Sequence, residues 1–405
     1  MRNPESDIYD NQASYYINKL YDFIGPLAVE KEIKKHKRVL DLSGPIVSET
    51  ILRKRHPWWE AFSTVLDMRK RGMSIKRHLT PEIKMLAGDA LKIIKLKKFM
   101  PDSVQRKYKR DLITKERAFD YLFEIQIAWH YYLKNHELQW YEDDGEKHPE
   151  FLVKTPNFDF NVECKRISVD IARKIKRKDF SRFAEALFSE IEKKTYSGNI
   201  DIILNDRLES NQIDRLVVDT LKFVDSGKTN EISKTQLGDF DLNLYRKNGE
   251  GINLVELEKR LQDVRNSSGT HAAFFAPKKS GDNIIDPIFV SLKSRKPDKV
   301  LDGIYDKIYE AALNQLIDSM PGIIVAFLED VYDLRELGSG TGLQIMTNEL
   351  LSKKKFSHIA GISYCSETQI HSHSMSEIYN SQNLFFRNPH CKFENAKTYQ
   401  FIDQQ

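Results

Sequence analysis

Glu150, Glu163 and Lys165 are the residues whose types and spacing could perform chemistry. Residues 150–154 and 158–166 are predicted to form a hairpin, because a Thr-Pro-Asn turn separates them and the second stretch alternates between apolar and polar side chains. Side chains two residues apart on a strand share a face, so Glu163 and Lys165 should lie roughly 7 Å apart. If Glu150 faces them from the first strand, two carboxylates and an ammonium can hold a divalent metal ion and a phosphate.

Residues 115–206 resemble the PD-(D/E)XK nuclease superfamily, which has the restriction-endonuclease-like fold. Pro149-Glu150 stands where that family has Pro-Asp, and Glu163-Cys164-Lys165 corresponds to its E-x-K motif. The preceding helix, predicted over residues 115–134, carries Glu124 where many members have a glutamate that leans into the site. A Glu-x-Lys pair alone is common on exposed strands, so the resemblance depends on the whole order of helix, strand, P-E, turn and V-E-C-K.

The resemblance implies a Mg²⁺ or Mn²⁺ site in which Glu150 and Glu163 bind the ion together with the main-chain carbonyl of Cys164. It also implies that Lys165 positions the attacking water or helps to deprotonate it, and that it offsets the charge that builds up on the phosphate. Glu124 would hold a water or a second ion. Magnesium suits this arrangement because it prefers oxygen ligands and keeps several waters.

The chain departs from the family at residue 150, which is Glu rather than Asp. The side chain is therefore one methylene longer, and Mg²⁺ is strict about ligand distance. Three neighbouring carboxylates are alternatives for the first metal ligand, namely Asp143, Asp144 and Asp159.

The elements that must position these residues follow from periodicity. The helix over 115–134 is apolar nearly all round, which is typical of a buried helix, so Glu124 within it needs a partner. A strand over 138–141 precedes the hairpin, and a helix over 179–194 and an apolar strand over 200–204 follow it.

The first third of the chain is basic and predicted to be helical. Residues 1–120 contain 26 Lys and Arg against 16 Asp and Glu, a net charge of +10, whereas the remaining residues carry −6. This asymmetry is typical of a protein that meets a polyanion with one end. The lysines predicted to contact nucleic acid lie on or just after one helix, and a solvated helix face is the alternative; they are Lys92, Lys95, Lys97 and Lys98.

A second basic cluster, residues 53–55, directly precedes Trp58 and Trp59. Such a cluster can stack bases and bind phosphates. Tryptophans that anchor a helix, with solvated cations beside them, are the favoured interpretation.

Beyond residue 211 the resemblance ends and a further α/β region is predicted. Its strands are predicted over 239–246, 272–276, 288–292, 323–328, 359–363 and 384–386, and a helix over 299–318. The run from Val290 to Arg295 echoes the spacing of the run from Val162 to Arg166, and each is followed by a helix and a strand. A degenerate second copy is one explanation of this echo, and a generic strand-helix-strand unit is the favoured one.

The fold class predicted from these patterns is mixed α+β. A restriction-endonuclease-like core, with a central mixed sheet flanked by helices, would follow a helical N-terminal region and precede a C-terminal α/β extension. The corresponding domains are residues 1–114, 115–210 and 211–405, the last without an assigned role.

Composition excludes several other classes of protein. With 40% hydrophobic and 30% charged residues, the chain is not disordered. Its longest apolar runs, of about eight residues, are too short to cross a bilayer, and its first residues lack the apolar segment of a signal peptide. Three cysteines in 405 residues suit a reducing compartment, so a cytoplasmic location without a membrane partner is expected.

The predicted function is that of a Mg²⁺-dependent nuclease that hydrolyses phosphodiester bonds. The resemblance implies a DNA endonuclease with a restriction or antiviral defence role, and it is compatible with a homodimer. The competing prediction is a protein that binds nucleic acid or a partner on a nuclease-like fold without cleavage. The intact E-x-K motif with Glu124 favours the nuclease, whereas the Glu at position 150 favours the binding protein.

Overall fold

The computed structural model describes residues 9–402, with gaps at 42–55, 143, 145–146, 192–193, 195, 228–231, 250, 254, 257–258, 260–270, 276–277, 281–282, 330, 332–333, 335–340 and 367–383. The described residues form two compact units. The first unit comprises those within 1–41, 55–169 and 301–405, and the second comprises those within 170–300. No helix in the described ranges has the length and apolar character needed to cross a membrane.

Eleven α-helices lie in the described residues: α1 (Asp10–Ile24), α2 (Pro26–Asp41), α3 (Trp59–Lys70), α4 (Pro81–Leu96), α5 (Asp102–Asp111), α6 (Lys115–Leu133), α7 (Arg177–Ile191), α8 (Ile213–Asp225), α9 (Val300–Asn314), α10 (Thr341–Leu351) and α11 (Glu394–Thr398). The strands are β1 (Glu137–Trp140), β2 (Phe151–Lys154), β3 (Asp159–Ser168), β4 (Tyr196–Leu204), β5 (Ile232–Lys234), β6 (Gly238–Arg246), β7 (Gly251–Asn253), β8 (His271–Phe275), β9 (Lys278–Ser280), β10 (Asn283–Ile285), β11 (Ile288–Ser294), β12 (Gly322–Glu329), β13 (Ile359–Ser366) and β14 (Leu384–Arg387). The mixed class predicted from the sequence is confirmed.

The predicted helical character of the first third is confirmed by α1 to α5. Trp58 and Trp59 are buried in the core that these helices share, and Trp58 Nε1 donates a hydrogen bond to Asp89 Oδ2 at 2.8 Å. The two tryptophans therefore anchor helices, as the favoured interpretation held. The basic residues 53–55 lie outside the described residues.

The first unit contains a six-stranded sheet in the order β1-β2-β3-β12-β13-β14. β3, β12 and β13 run parallel to one another, whereas β1, β2 and β14 pair antiparallel with their neighbours. The predicted hairpin is present as β2 and β3. At its turn, Thr155 Oγ1 accepts a hydrogen bond from Phe158 N at 3.1 Å.

β3 is covered on both faces. Phe160, Val162 and Cys164 point into a core that they share with α6, which packs on this strand. Glu163 points to the opposite face, where Ile324 of β12 is its register partner. Both faces of β3 are buried at residues 160–164, so the polar alternation of this strand does not mark a surface open to water.

The second unit contains a five-stranded sheet in the order β5-β6-β4-β11-β8 and a three-stranded sheet in the order β7-β10-β9. α7 and α8 pack on the five-stranded sheet and form its core with residues such as Phe183, Leu216, Ile200 and Val290. The other face of this sheet is more accessible at β6 and β11. Along both strands, buried residues that face the helices alternate with half-buried or exposed residues that face away from them.

The division of the chain does not follow the predicted boundaries at residues 114 and 210. β4, expected in the nuclease-like core, pairs with β6 and β11 instead, and the six-stranded sheet is completed by β12, β13 and β14. Both stretches of the sequence echo have the order strand, helix, strand, in agreement with the favoured interpretation, but the two strands of each stretch lie in different sheets: β3 is separated from β4, and β11 from β12. Sequential strands usually neighbour each other, and periodicity carries no information about which strand is the partner.

Candidate active site

Glu163 and Lys165 form an ion pair at the centre of the six-stranded sheet. Lys165 Nζ lies 2.5 Å from Glu163 Oε1, and the Glu163 side chain is 0% exposed while that of Lys165 is 25% exposed. Burial raises the pKa of Glu163 to about 8; the Glu150 carboxylate adds to the rise and Lys165 opposes it. Burial alone would lower the pKa of Lys165, but the charges of Glu163 and Glu150 outweigh it and raise this pKa.

Glu150 lies where β2 begins, across from Glu163. Phe151 pairs with Val162 in the antiparallel register, so the preceding residue is opposite Glu163. Glu150 N donates a hydrogen bond to Val162 O at 3.1 Å, which holds the backbone of residue 150 against β3. Burial raises the pKa of Glu150, and the nearby Lys165 ammonium opposes this rise. The structure therefore brings both motif carboxylates and the lysine together.

Glu124 approaches the same group from α6. It is buried and accepts a hydrogen bond from the hydroxyl of Tyr108, which in turn accepts one from Trp140 Nε1 at 3.2 Å. Burial raises the pKa of Glu124 well above its usual value; the charge of Glu150 adds to the rise and the Tyr108 hydrogen bond opposes it. Tyr108 of α5 thus supplies a partner of the kind that a buried glutamate requires.

Tyr108 and Lys107 are site residues that sequence reasoning missed, and both belong to α5. Lys107 lowers the pKa of Glu124 and of Glu150 against the dominant effect of burial. No motif contains these two residues. The available signal was the spacing of Val104, Tyr108 and Asp111, which are the buried positions of this otherwise charged helix.

Arg166, left out of the predicted catalytic set, has a different role from Lys165. Its guanidinium donates to Asp120 Oδ1 of α6 at 2.9 Å and to Glu329 Oε2 of β12 at 3.2 Å. Asp120 lies one helical turn before Glu124. Through Arg166, the two ion pairs connect α6 to β3 and β12. They therefore help to fix the position of Glu124 relative to the sheet.

Two of the three alternative carboxylates, Asp144 and Asp159, are described, and both are exposed. Asp159 is exposed at the start of β3, opposite Lys154. Asp144 is 48% exposed, and its Oδ2 lies 3.2 Å from His148 Nε2. Asp143 lies outside the described residues. Glu150 is the carboxylate that adds to the raised pKa of Glu163.

The direction of the backbone places the Cys164 carbonyl on the side of Glu150. Successive residues of a strand direct their N–H and C=O groups to opposite neighbours. Asn161 N donates to Pro321 O on the β12 side, whereas Val162 O accepts from Glu150 N on the β2 side. Cys164 therefore directs its carbonyl to the β2 side, where the described pairing with β2 ends at Val162.

The residues implied to bind the metal ion supply oxygen ligands, which divalent cations such as Mg²⁺ prefer, but their side chains do not form a preassembled metal site. Among the described residues, no group of three or more His, Cys, Asp and Glu side chains is arranged to hold a metal ion. The set implied for this site has two carboxylates and a carbonyl, from Glu150, Glu163 and Cys164. Burial of carboxylates with raised pKa values costs free energy that a cation between them would offset, so these residues fit Mg²⁺.

The predicted nucleic-acid lysines divide into two groups. Lys95 and Lys98 are exposed and Lys97 is half-buried, with its Nζ 5.6 Å from the centre of the Phe23 ring. Lys92 is 6% exposed, and its ammonium donates to Gln126 Oε1 at 2.5 Å. The expectation that Lys92 lies on the outer face of its helix is therefore wrong.

No protein-family model matches the chain, and neither a curated protein nor a solved structure matches it significantly.

Proposed function

We propose that this chain is a metal-dependent nuclease that hydrolyses phosphodiester bonds, with DNA as its substrate. The observation that carries the proposal is the group in which the buried Glu163 of β3 contacts Lys165 at 2.5 Å and lies opposite Glu150, which precedes β2. Buried carboxylates beside a lysine are costly to maintain, and strongly perturbed pKa values of this kind are characteristic of functional sites. The resemblance to the PD-(D/E)XK superfamily supports the same conclusion.

Glu150 and Glu163, with the Cys164 carbonyl, would hold Mg²⁺ or Mn²⁺. When bound, such an ion lowers the pKa of a coordinated water and polarises the phosphate. Lys165 keeps its proton because its pKa is raised, so it stabilises negative charge on the phosphate and orients the nucleophile rather than removing a proton. Glu124, held by Tyr108, orients water on the α6 side.

The substrate class follows from charge. The basic first third and the exposed Lys95 and Lys98 favour a polyanion in the same unit as the site. A restriction or antiviral defence role in the cytoplasm is what the family resemblance suggests for such an enzyme.

Cleavage of supercoiled plasmid with Mg²⁺, with Mn²⁺ and with EDTA tests this proposal. We expect nicked and linear products only with a metal ion, and no product from Glu163→Gln, which keeps the shape of the side chain but removes its charge. A matched control is Glu349→Gln, which changes a glutamate on α10 whose side chain is 67% exposed. Metal-independent cleavage, or full activity of Glu163→Gln, would overturn the metal assignment.

A protein that binds nucleic acid without cleavage is the second candidate. It is favoured by one observation, the pairing of Glu163 with Lys165 and of Glu124 with Tyr108 in place of a ready group of metal ligands. This candidate predicts salt-dependent DNA binding that does not change with Mg²⁺ and no cleavage with either metal. Cleavage that requires all of Glu150, Glu163 and Lys165 excludes it.

A further inference from the structure

A cavity of about 490 Å³ lies beside β1 in the first unit, and Glu124, Glu150, Glu163 and Lys165 do not line it. This volume falls within the range of roughly 300–1,000 Å³ typical of small-molecule sites. Four aromatic rings and a lysine contribute to its walls, from Phe99, Trp140, Tyr141, His148 and Lys98. The cavity is thus a separate site with its own chemistry.

Two adjacent wall residues connect this cavity to the candidate active site. Trp140 Nε1 donates to the Tyr108 hydroxyl at 3.2 Å, and that hydroxyl donates to Glu124. The Tyr141 hydroxyl donates to Asn161 Oδ1 at 2.6 Å, two residues before Glu163 on β3. A ligand in the cavity would therefore contact residues that are hydrogen-bonded to Tyr108, the partner of Glu124, and to Asn161 of β3.

The walls suit a planar aromatic ligand. The rings of Tyr141 and His148 stack with their centroids 5.4 Å apart and their planes 15° from parallel, which forms a ready platform. Such platforms bind nucleobases, because every base has an aromatic face. Lys98 Nζ, also in the wall, lies 4.7 Å from the centre of the Phe99 ring and supplies positive charge for a neighbouring phosphate.

Two exposed carboxylates favour bases that can donate a hydrogen bond to them. Glu142 and Asp144 line the cavity, where they repel phosphate but accept hydrogen bonds. Glu142 accepts one from Ser103, and Asp144 lies 3.2 Å from His148; an ionised carboxylate has about four acceptor positions in all. Adenine, cytosine and guanine carry an exocyclic amino group that donates to such acceptors, whereas thymine does not.

We propose that the cavity binds an unpaired nucleobase that carries an exocyclic amino group, from a nucleotide next to the phosphate at the active site. The inference rests on the proposed function for the identity of the substrate. The base must be unpaired, because a stacking platform reaches its face only when it has left a helical stack. The preferred substrate is then a strand with a single-stranded, looped or mismatched nucleotide beside the cleaved bond.

Binding of single nucleotides to the full chain in EDTA tests the inference without any cleavage. Calorimetric titration with dCMP, dAMP and dTMP should show that dCMP and dAMP bind about tenfold more tightly than dTMP. His148→Ala and Tyr141→Leu should each weaken dCMP binding by about tenfold. Tyr141→Phe keeps the ring and should bind dCMP like the wild-type protein.

Tyr15→Leu is the control, because Tyr15 on α1 is an exposed tyrosine that does not line this cavity. If Tyr141→Leu does not fold, as judged by circular dichroism, His148→Ala decides, since that side chain is 30% exposed. Equal binding of dTMP, absence of saturable dCMP binding, or unchanged binding by His148→Ala would overturn the inference. A chain that binds dCMP but never cleaves DNA would refute the nuclease proposal alone, and one that cleaves but does not bind dCMP would refute the cavity assignment alone.

Discussion

β3 of the first unit and β11 of the second have the same pairing and different chemistry. Each lies between one antiparallel and one parallel neighbour, which are β2 and β12 for β3 and β8 and β4 for β11. The sequence echo aligns Glu163 with Ser291 and Lys165 with Lys293. Lys293 is exposed and Ser291, which donates to Asp201, is half-buried. Glu163 is fully buried.

The difference comes from what covers the second face of each strand. Val290 and Leu292 of β11 face the core with α7 and α8, and the other face of the strand is accessible. Both faces of β3 are covered at residues 160–164. Charges interact more strongly when water is excluded, so the same spacing yields a solvated lysine in one strand and a strongly coupled carboxylate-lysine group in the other.

The largest difference in cleavage rate is expected between the alanine variants of Lys165 and of Lys293, each made separately. Lys165→Ala should abolish Mg²⁺-dependent cleavage, a loss of at least roughly 10³-fold, because an electrostatic contact to the reacting phosphate is lost. Lys293→Ala should leave the rate unchanged. Single-turnover cleavage of plasmid measures both, and DNA binding should persist in both. Near wild-type cleavage by Lys165→Ala would show that burial of this lysine serves stability alone.

The next effect concerns Glu150, which lies opposite Glu163; the residue opposite Ser291 is Ala272 of β8, which has no carboxylate. Glu150→Ala removes an anionic ligand and should abolish cleavage, whereas Glu150→Asp keeps the charge and should retain some activity with weaker metal affinity. Cleavage assays with a Ca²⁺ titration measure the two properties. Asp159→Ala is the control on the neighbouring exposed carboxylate. If Asp159→Ala is inactive and Glu150→Ala is active, the metal ligand is misassigned.

The pH dependence of stability should also separate the two strands. Because the folded-state pKa of Glu163 is raised from 4.5 to about 8, the folded protein binds more protons than the unfolded chain between these values. The free energy of unfolding of the metal-free protein should therefore fall as pH rises through this window, by on the order of 2–4 kcal/mol.

Urea denaturation in EDTA at pH 5.5 and pH 8 measures this fall. Glu163→Gln should make the dependence shallower and stabilise the protein at pH 8. Asp201→Asn, beside Ser291 in the second unit, should leave the dependence unchanged. A stability that rises with pH over this range, or an unchanged dependence in Glu163→Gln, would contradict the assigned environment of Glu163.

The smallest effect is expected for the lysines on and just after α4, where buried and solvated lysines can be compared within one segment. Replacement of Lys95, Lys97 and Lys98 by Gln should reduce the slope of log affinity for DNA against log salt by up to about 0.9 per phosphate contact. Lys92→Met should leave that slope unchanged and lower the free energy of unfolding by about 1–2 kcal/mol, because Gln126 loses its donor. Filter binding across salt concentrations and urea denaturation measure the two outcomes. An unchanged slope in the triple variant would assign these lysines to a solvated face.

Local periodicity determined most of the elements. The helices of the first third, α6, the β2–β3 hairpin and the strands β11 to β14 all lie close to where alternation and helical spacing predicted them. The motif residues Glu150, Glu163 and Lys165 were found in the same way, since the spacing along a strand and the shortness of a hairpin turn bring them together without help from the rest of the chain.

Only the tertiary structure decided the partners. It pairs β3 with β12, more than 150 residues later, and supplies Tyr108 of α5 to Glu124 and Glu329 of β12 to Arg166. It also distinguishes Lys92 from Lys95 and Lys165 from Lys293. The physical reason is that burial, and with it the pKa values and the strength of every charge interaction at the site, depends on the segments that cover a residue, and these segments are far away in the sequence.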